Sequence, residues 1–196
     1  MVIPSAADIS WQKVWRAVDN VRDRLLRATR LLNEAGVAYA VIDGNAVASW
    51  VSAVDPSAQR FTQDVDLLIR RADLEAVRRA LEPGGFIYRH SASIDKFLDG
   101  PDAKARDAVH VEFADEKVRK EYAVPAPSVD ESEPAADFRV LSLEALLRMK
   151  LTSNRDKDRT HVRDLIGVGL IDATWVDRLP EMLAERLREI LANPEG

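Results

Sequence analysis

The chain predicts an α+β fold, a small mixed β-sheet flanked by helices, on three observations. A long amphipathic stripe opens it; short apolar or alternating runs recur at 37–42, 64–69 and 109–113; and from Ser142 the pattern turns helical to the end. Trp11, Val14, Val18, Val21, Leu25, Ala28 and Leu32 recur at alternating steps of three and four, so residues 11–33 form a helix with one apolar face. Gly36 stops it. The stripe suits a helix laid on a sheet, and it would also serve a dimer. Residues 37–42 are apolar on both faces, as in a central strand. Asp43-Gly44-Asn45 breaks that strand, and Asn45 is placed to cap a short helix over 46–54.

A loop around Pro56 leads into the strand bearing Asp64 and Asp66, and Asp73 caps a helix ending near Leu81. Pro83-Gly84-Gly85 turns into a short strand at 86–89. The polar stretch 91–107 reads as a surface loop or a ragged hairpin tip. In 109–113 strict alternation sets Val109, Val111 and Phe113 on one face and His110 and Glu112 on the other. Residues 125–137, rich in proline and acid, read as an extended linker, and 138–141 as an edge strand. The helical tail breaks near Gly167-Val168-Gly169 and at Pro180, and Ser142 with Ala145 is half a capping box. The division that follows is an N-terminal helix on the core (1–36), a core (37–124), the linker (125–137) and a C-terminal helical segment (138–196).

The bulk numbers narrow the function. Hydrophobic and charged fractions of 46% and 31% are those of an ordinary water-soluble globule, and 196 residues suffice for one domain with an appendage. No cysteine is present, which removes disulfides, thiolate chemistry and zinc–thiolate sites and fits a reducing cytoplasm. Residues 1–10 lack the basic start and apolar core of a signal peptide, and no apolar run reaches the ~18–20 residues of a membrane span. A net charge of −5 argues against a surface for bulk nucleic-acid binding. Arg70, Arg71, Arg78 and Arg79 cluster locally, as a basic cleft or, more simply, a solvated helix face.

Thr62-Gln63-Asp64-Val65-Asp66 carries the chemistry. Side chains two apart on a strand share a face, so Asp64 and Asp66 repel unless a cation sits between them. Glu112 lies mid-strand among Val and Phe, where a carboxylate needs a partner or a metal. The strand–Gly44-Asn45–helix turn aims backbone amides at whatever lies beyond. Lys150 falls inside the apolar stripe Leu143, Leu146, Leu147, Leu151, so it either snorkels out or meets an anion. Arg155 and Asp158, three apart, are expected to pair; Asp164 reads as surface, and His110 receives no role.

Taken in order, these residues resemble the nucleotidyltransferase superfamily of the DNA polymerase β type, whose pattern is Gly-Gly or Gly-Ser, then Asp-x-Asp, then a third acid on another strand. Arg60-Phe61-Thr62-Gln63-Asp64-Val65-Asp66-Leu67-Leu68 is similar to minimal bacterial members. Met149-Lys150-Leu151, Arg155–Arg159 and Asp164-Leu165 are similar to the helical segment of the AbiEii abortive-infection group. The resemblance covers about residues 37–166 and departs from the pattern at Asn45 and Glu112. It implies the nucleotidyltransferase fold and transfer of a nucleoside monophosphate from a triphosphate such as ATP to a hydroxyl, with pyrophosphate released. Asp64, Asp66 and Glu112 would then hold Mg²⁺ or Mn²⁺, while Gly44, Asn45, Thr62 and Lys150 serve the nucleotide. The acceptor, be it small molecule, tRNA or protein, stays open. So do two other readings: a non-catalytic binding module of the same fold, and a toxin component acting on RNA or protein beside an antitoxin partner.

Overall fold

The computed structural model describes residues 10–194 apart from 92 and 105, so the signal-peptide reading of residues 1–9 lies outside the described residues. Helix α1 (Trp11–Glu34) forms as its stripe predicts, and Gly36 follows with φ +66. The strands are β1 (Ala40–Val41), β2 (Val65–Ile69), β3 (Phe86–Ser91), β4 (Ile94–Asp99), β5 (Ala108–Phe113), β6 (Ser132–Pro134) and β7 (Arg139–Leu141). The remaining helices are α2 (Asp43–Val54), α3 (Leu74–Leu81), α4 (Leu143–Ser153), α5 (Asp156–Gly167) and α6 (Glu181–Ala192).

One mixed sheet runs β3-β4-β5-β2-β1-β7-β6. Its centre is the parallel pair β2–β5, in which Val65 faces Val109, Asp66 faces His110 and Leu68 faces Glu112. Alternation then sorts the two faces. Val65, Leu67, Ile69, Val109, Val111 and Phe113 join the core beneath α1 and α3. Leu68 joins the core beneath α2, α4, α5 and α6, and Asp66, His110 and Glu112 lie on that same side.

Several expectations are corrected by tertiary pairing. Of residues 37–42 only Ala40–Val41 is laddered as β1; beyond it the Ile42 amide donates to the Asp66 carbonyl at 3.1 Å. The polar stretch after Ser91 contains β4, paired to both β3 and β5. The segment 125–137 is no featureless linker. Ser128 and Glu131 make a reciprocal capping box around a 3-10 turn at Val129–Glu131, and β6 then pairs with β7. Three of the four clustered arginines are paired on the surface: Arg70 with Asp130, Arg71 with Glu116 and Arg78 with Glu75. The tail breaks where expected, α5 ending at Gly167 and α6 beginning after Pro180. Ser142 Oγ accepts from the Ala145 amide at 3.3 Å, as the half capping box requires.

Helix α1 is packed over only its second half. Leu25, Ala28 and Leu32 are buried, whereas Trp11, Val14 and Trp15 are exposed, Trp15 meeting Phe61 edge-on at 6.3 Å. Arg24 and Arg27 tie the helix to Asp99, and Tyr39 ties its end to β7 by donating to Asn33 and accepting from the Arg139 amide. Leu32→Ala is therefore expected to cost about 2–5 kcal/mol in equilibrium urea unfolding. Val14→Ala should stay within about 0.5 kcal/mol.

Candidate active site

The turn from β1 into α2 is laced to the acidic segment. A side-chain carbon on Gly44 would lie 2.9 Å from Thr62 Cβ and Oγ1, so glycine is what lets the two segments touch. Thr62 Oγ1 accepts from the Asp64 amide at 3.3 Å, and Asn45 Nδ2 donates to the Asp64 carbonyl at 2.7 Å. Asn45 is thus not the helix cap predicted for it: α2 begins two residues earlier, and Asn45 spends its amide on the neighbouring segment. The positive backbone angle of the turn falls on Asp43, φ +53. Glycine-like geometry therefore spans Asp43-Gly44 rather than Gly44-Asn45.

Asp64 sits one residue ahead of β2 and Asp66 within it, both half-buried. His110 Nδ1 lies 3.7 Å from Asp66 Oδ1. Glu112 is the anomalous acid. Its Oε2 is buried with no hydrogen-bond partner among the described residues. Burial, and then the neighbouring Asp66 charge, push its carboxyl up to about 7 against the pull of Arg155 and Lys157. Two cavities meet at Glu112. A larger one of about 680 Å³ is bordered by Asp66, Asp95, His110, Lys117 and Arg119. A smaller one of about 110 Å³ is bordered by Asp43, Tyr122, Met149, Lys150 and Arg155.

Lys150 does not snorkel. Its side chain is 2% exposed, and its ammonium donates to Asp43 and, at 3.0 Å, to Asp158 Oδ1. Asp158 is fully buried and accepts from Ser153 Oγ (2.7 Å), the Arg155 amide (3.2 Å) and the Arg155 guanidinium (2.6 Å). Burial alone would raise its carboxyl, but the Arg155 hydrogen bond and the Lys150 charge hold it well below the usual carboxylate range. Burial likewise lowers the Lys150 ammonium to about 8, against the attraction of Asp158. His161 faces the same group, 3.6 Å from Asp43 Oδ1. Burial and the Lys150 charge push its imidazole down to about 4, so it is neutral at physiological pH. Asp164, read as surface, is 12% exposed and accepts from Arg60 at 2.8 Å, fixing the loop before Thr62.

Asp43, Asp158 and His161 bring ligand atoms within 4.8 Å of one another, a grouping that admits a divalent ion. Asp64, Asp66 and Glu112 are not all that close together. The first group nevertheless has its cation already, because Lys150 bridges both carboxylates. The Glu112 Oε2 oxygen has no hydrogen-bond partner among the described residues and borders the same cavity as Asp66, which is where a metal would relieve it. Sequence reasoning missed Asp43 and His161. The one available signal was a non-glycine residue at a strand–helix turn with His161 three residues after Asp158.

A mixed sheet with a glycine turn, an Asp-x-Asp strand and an acid on the parallel neighbour belongs to the nucleotidyltransferase class of folds. The family model described as nucleotidyl transferase AbiEii toxin, type IV toxin–antitoxin system, matches residues 51–195, and the chain belongs to that family. The match takes in Asp64, Asp66, Glu112 and Lys150 and starts after the Asp43-Gly44 turn. The solution structure of the antibiotic-resistance factor ANT(2'')-Ia aligns over 91% of this chain and 90% of its own, with 13% identity and a TM-score of 0.54. An antigenic nucleotidyltransferase-like protein from Paracoccidioides brasiliensis aligns over 89% and 88%, with 17% identity and a TM-score of 0.55. At these identities the likeness concerns the fold. No curated protein matches the chain significantly in sequence.

Lys150→Met is expected to cost about 3–5 kcal/mol in chemical unfolding, because it removes the buried cation that the Asp43 and Asp158 carboxylates share. Lys157→Met, on a half-exposed partner of Asp43, should cost less than about 1 kcal/mol. Glu112 fixes a pH dependence. Its folded carboxyl, at about 7, lies above the unfolded value of 4.5. Its stabilising contribution is therefore complete below about pH 4.5 and is lost as pH rises through 7. Between pH 5 and 8 the parent should lose up to about 3 kcal/mol that Glu112→Gln retains, read from urea midpoints across pH.

Proposed function

We propose that this protein is a metal-dependent nucleotidyltransferase of the cytoplasm that moves a nucleoside monophosphate from a triphosphate to a hydroxyl. The observation that carries the reading is the pairing of β2 with β5, which puts Asp66 and Glu112 on one side of the sheet at the edge of the larger cavity. Membership of a nucleotidyl transferase family supports the reaction type. Asp64, Asp66 and Glu112 would hold Mg²⁺, or Mn²⁺ in its place. The bound ion would neutralise the triphosphate and make the acceptor hydroxyl more acidic.

The chain's own groups do the rest. The acceptor oxygen forms its bond to the α-phosphorus as the bond to pyrophosphate breaks. Glu112, whose Oε2 has no hydrogen-bond partner among the described residues, takes the hydroxyl proton. The turn of Gly44 and Asn45, held by Thr62, offers amides to the phosphates, and Lys150 supplies positive charge beside it. Positioning and charge account for most of what phosphoryl transfer requires, so this small set is sufficient. The family's description, a toxin of a type IV toxin–antitoxin system, supports the reading of a toxin component, for which RNA or protein would be the acceptor.

Asp66→Asn removes a charge with little change of shape. Transfer of label from radioactive nucleoside triphosphates is expected to fall at least ~100-fold, the effect of losing a group that stabilises transition-state charge. Undiminished transfer would sink the mechanism. Mg²⁺ should raise the melting temperature of the parent and leave that of Asp66→Asn nearly unmoved.

A further inference from the structure

Asp43 is where the turn demands glycine-like geometry, at φ +53, yet an acid stands there. Its carboxylate is the hub of the cationic group: Lys150 donates to Oδ1, Lys157 lies 3.0 Å from Oδ2 and Arg155 3.9 Å from it. Asp158 already satisfies Lys150 and Arg155 from the other side, at 3.0 and 2.6 Å. Removing Asp43 therefore leaves the cluster assembled but short of one negative charge. Asp43 and Asp158 contact three cations, with Glu112 across the smaller cavity, and His161 adds no charge because it is neutral. The His161 Nδ1 atom is buried without a hydrogen bond among the described residues and faces Asp43 Oδ1. Arg155 and Lys157 are about half exposed, at 44% and 48%, so an incoming anion can reach them. The smaller cavity opens between Asp43, Arg155 and Glu112, beside the acidic strand pair.

We propose that Lys150, Arg155 and Lys157 form a polyphosphate subsite that the free chain fills with its own anion, the Asp43 carboxylate, and that a triphosphate binds by displacing it. Phosphate oxygens would take the ammonium and guanidinium hydrogens that Asp43 accepts, together with the idle His161 nitrogen. The anion's higher charge favours the exchange, and Asp43 shares the buried ammonium with Asp158 while the site is empty. The inference rests on the nucleotidyl-transfer reading in taking the anion to be a triphosphate.

The test is calorimetric titration of the full chain with inorganic tripolyphosphate in EDTA, for the parent, Asp43→Asn, Asp43→Gly and Asp43→Asn/Lys157→Ala. Both single variants are expected to bind at least ~10-fold more tightly than the parent, the gain a freed charge-assisted contact gives. The double variant should lose that gain. Asp43→Gly suits the backbone angle and so serves if the asparagine variant folds poorly. Binding that is equal to or weaker than the parent's in the folded single variants would show Asp43 to be an anchor only and overturn the proposal. Tripolyphosphate has no nucleotide to transfer, so the two readings fail separately. A chain that shows the gain but transfers nothing loses the catalytic reading alone; one that transfers without the gain loses this one.

Discussion

One buried ammonium organises the side of the sheet that carries the candidate site. Lys150 comes from α4, Asp43 from the start of α2 and Asp158 from the first turn of α5, so three helices meet on a single charge. Taking that charge out of water is expensive, and the cost is offset only because Asp158 is itself satisfied by Ser153 and Arg155. The arrangement reaches further. Asp43 sets the turn, Gly44 lies against Thr62, Thr62 and Asn45 hold Asp64, and Ile42 holds Asp66. The position of the acidic pair is thus inherited, contact by contact, from the helices behind it.

The sheet divides labour between its faces. Under α1 and α3 it is mostly aliphatic and aromatic, with Leu67, Leu81 and Phe97 fully or almost fully buried and Asp95 the acid among them. On the other face the helices cover one end and leave Asp66, His110 and Glu112 at the margin of a cavity. Glu112 is where the fold tolerates an unfavourable group. Such a penalty has a physical rationale when a substrate proton or a cation is there to relieve it. Arg186 closes the C-terminal end of α4, the end that carries Lys150, by donating to the Leu151 and Thr152 carbonyls, and Ser142 caps the other end, so the helix is fixed at both termini.

Much of this was legible in the sequence wherever periodicity and burial agreed. The α1 stripe, the alternation in β5, Gly169 with its φ of +76 and Pro180 all act locally, and the structure follows them. Legibility failed where a distant partner decided the outcome. In β4 an acid holds an inward position: Asp95 is buried because Tyr88 and His90 reach it across the hairpin, which masks the alternation. In β6 the strand exists because Arg139 holds Ser132 from β7. Asp164 looked solvated until Arg60, more than a hundred residues earlier in the chain, closed on it. The acids of the proposed site stand out by spacing, but the environment of Lys150 does not, because Asp43 and His161 approach it only through the packing of α2 on α5.

The alternation along β2 and β5 also bears on how the chain reaches this state. Moving β2 by a single residue against its neighbours would drive Asp66 into the oily layer under α1 and turn Leu67 outward. Such a mispaired chain would lose most of its core at the same stroke as its chemistry. Molecules that are folded but miswired should therefore be scarce: the same spacing that aims the acids also proofreads the assembly.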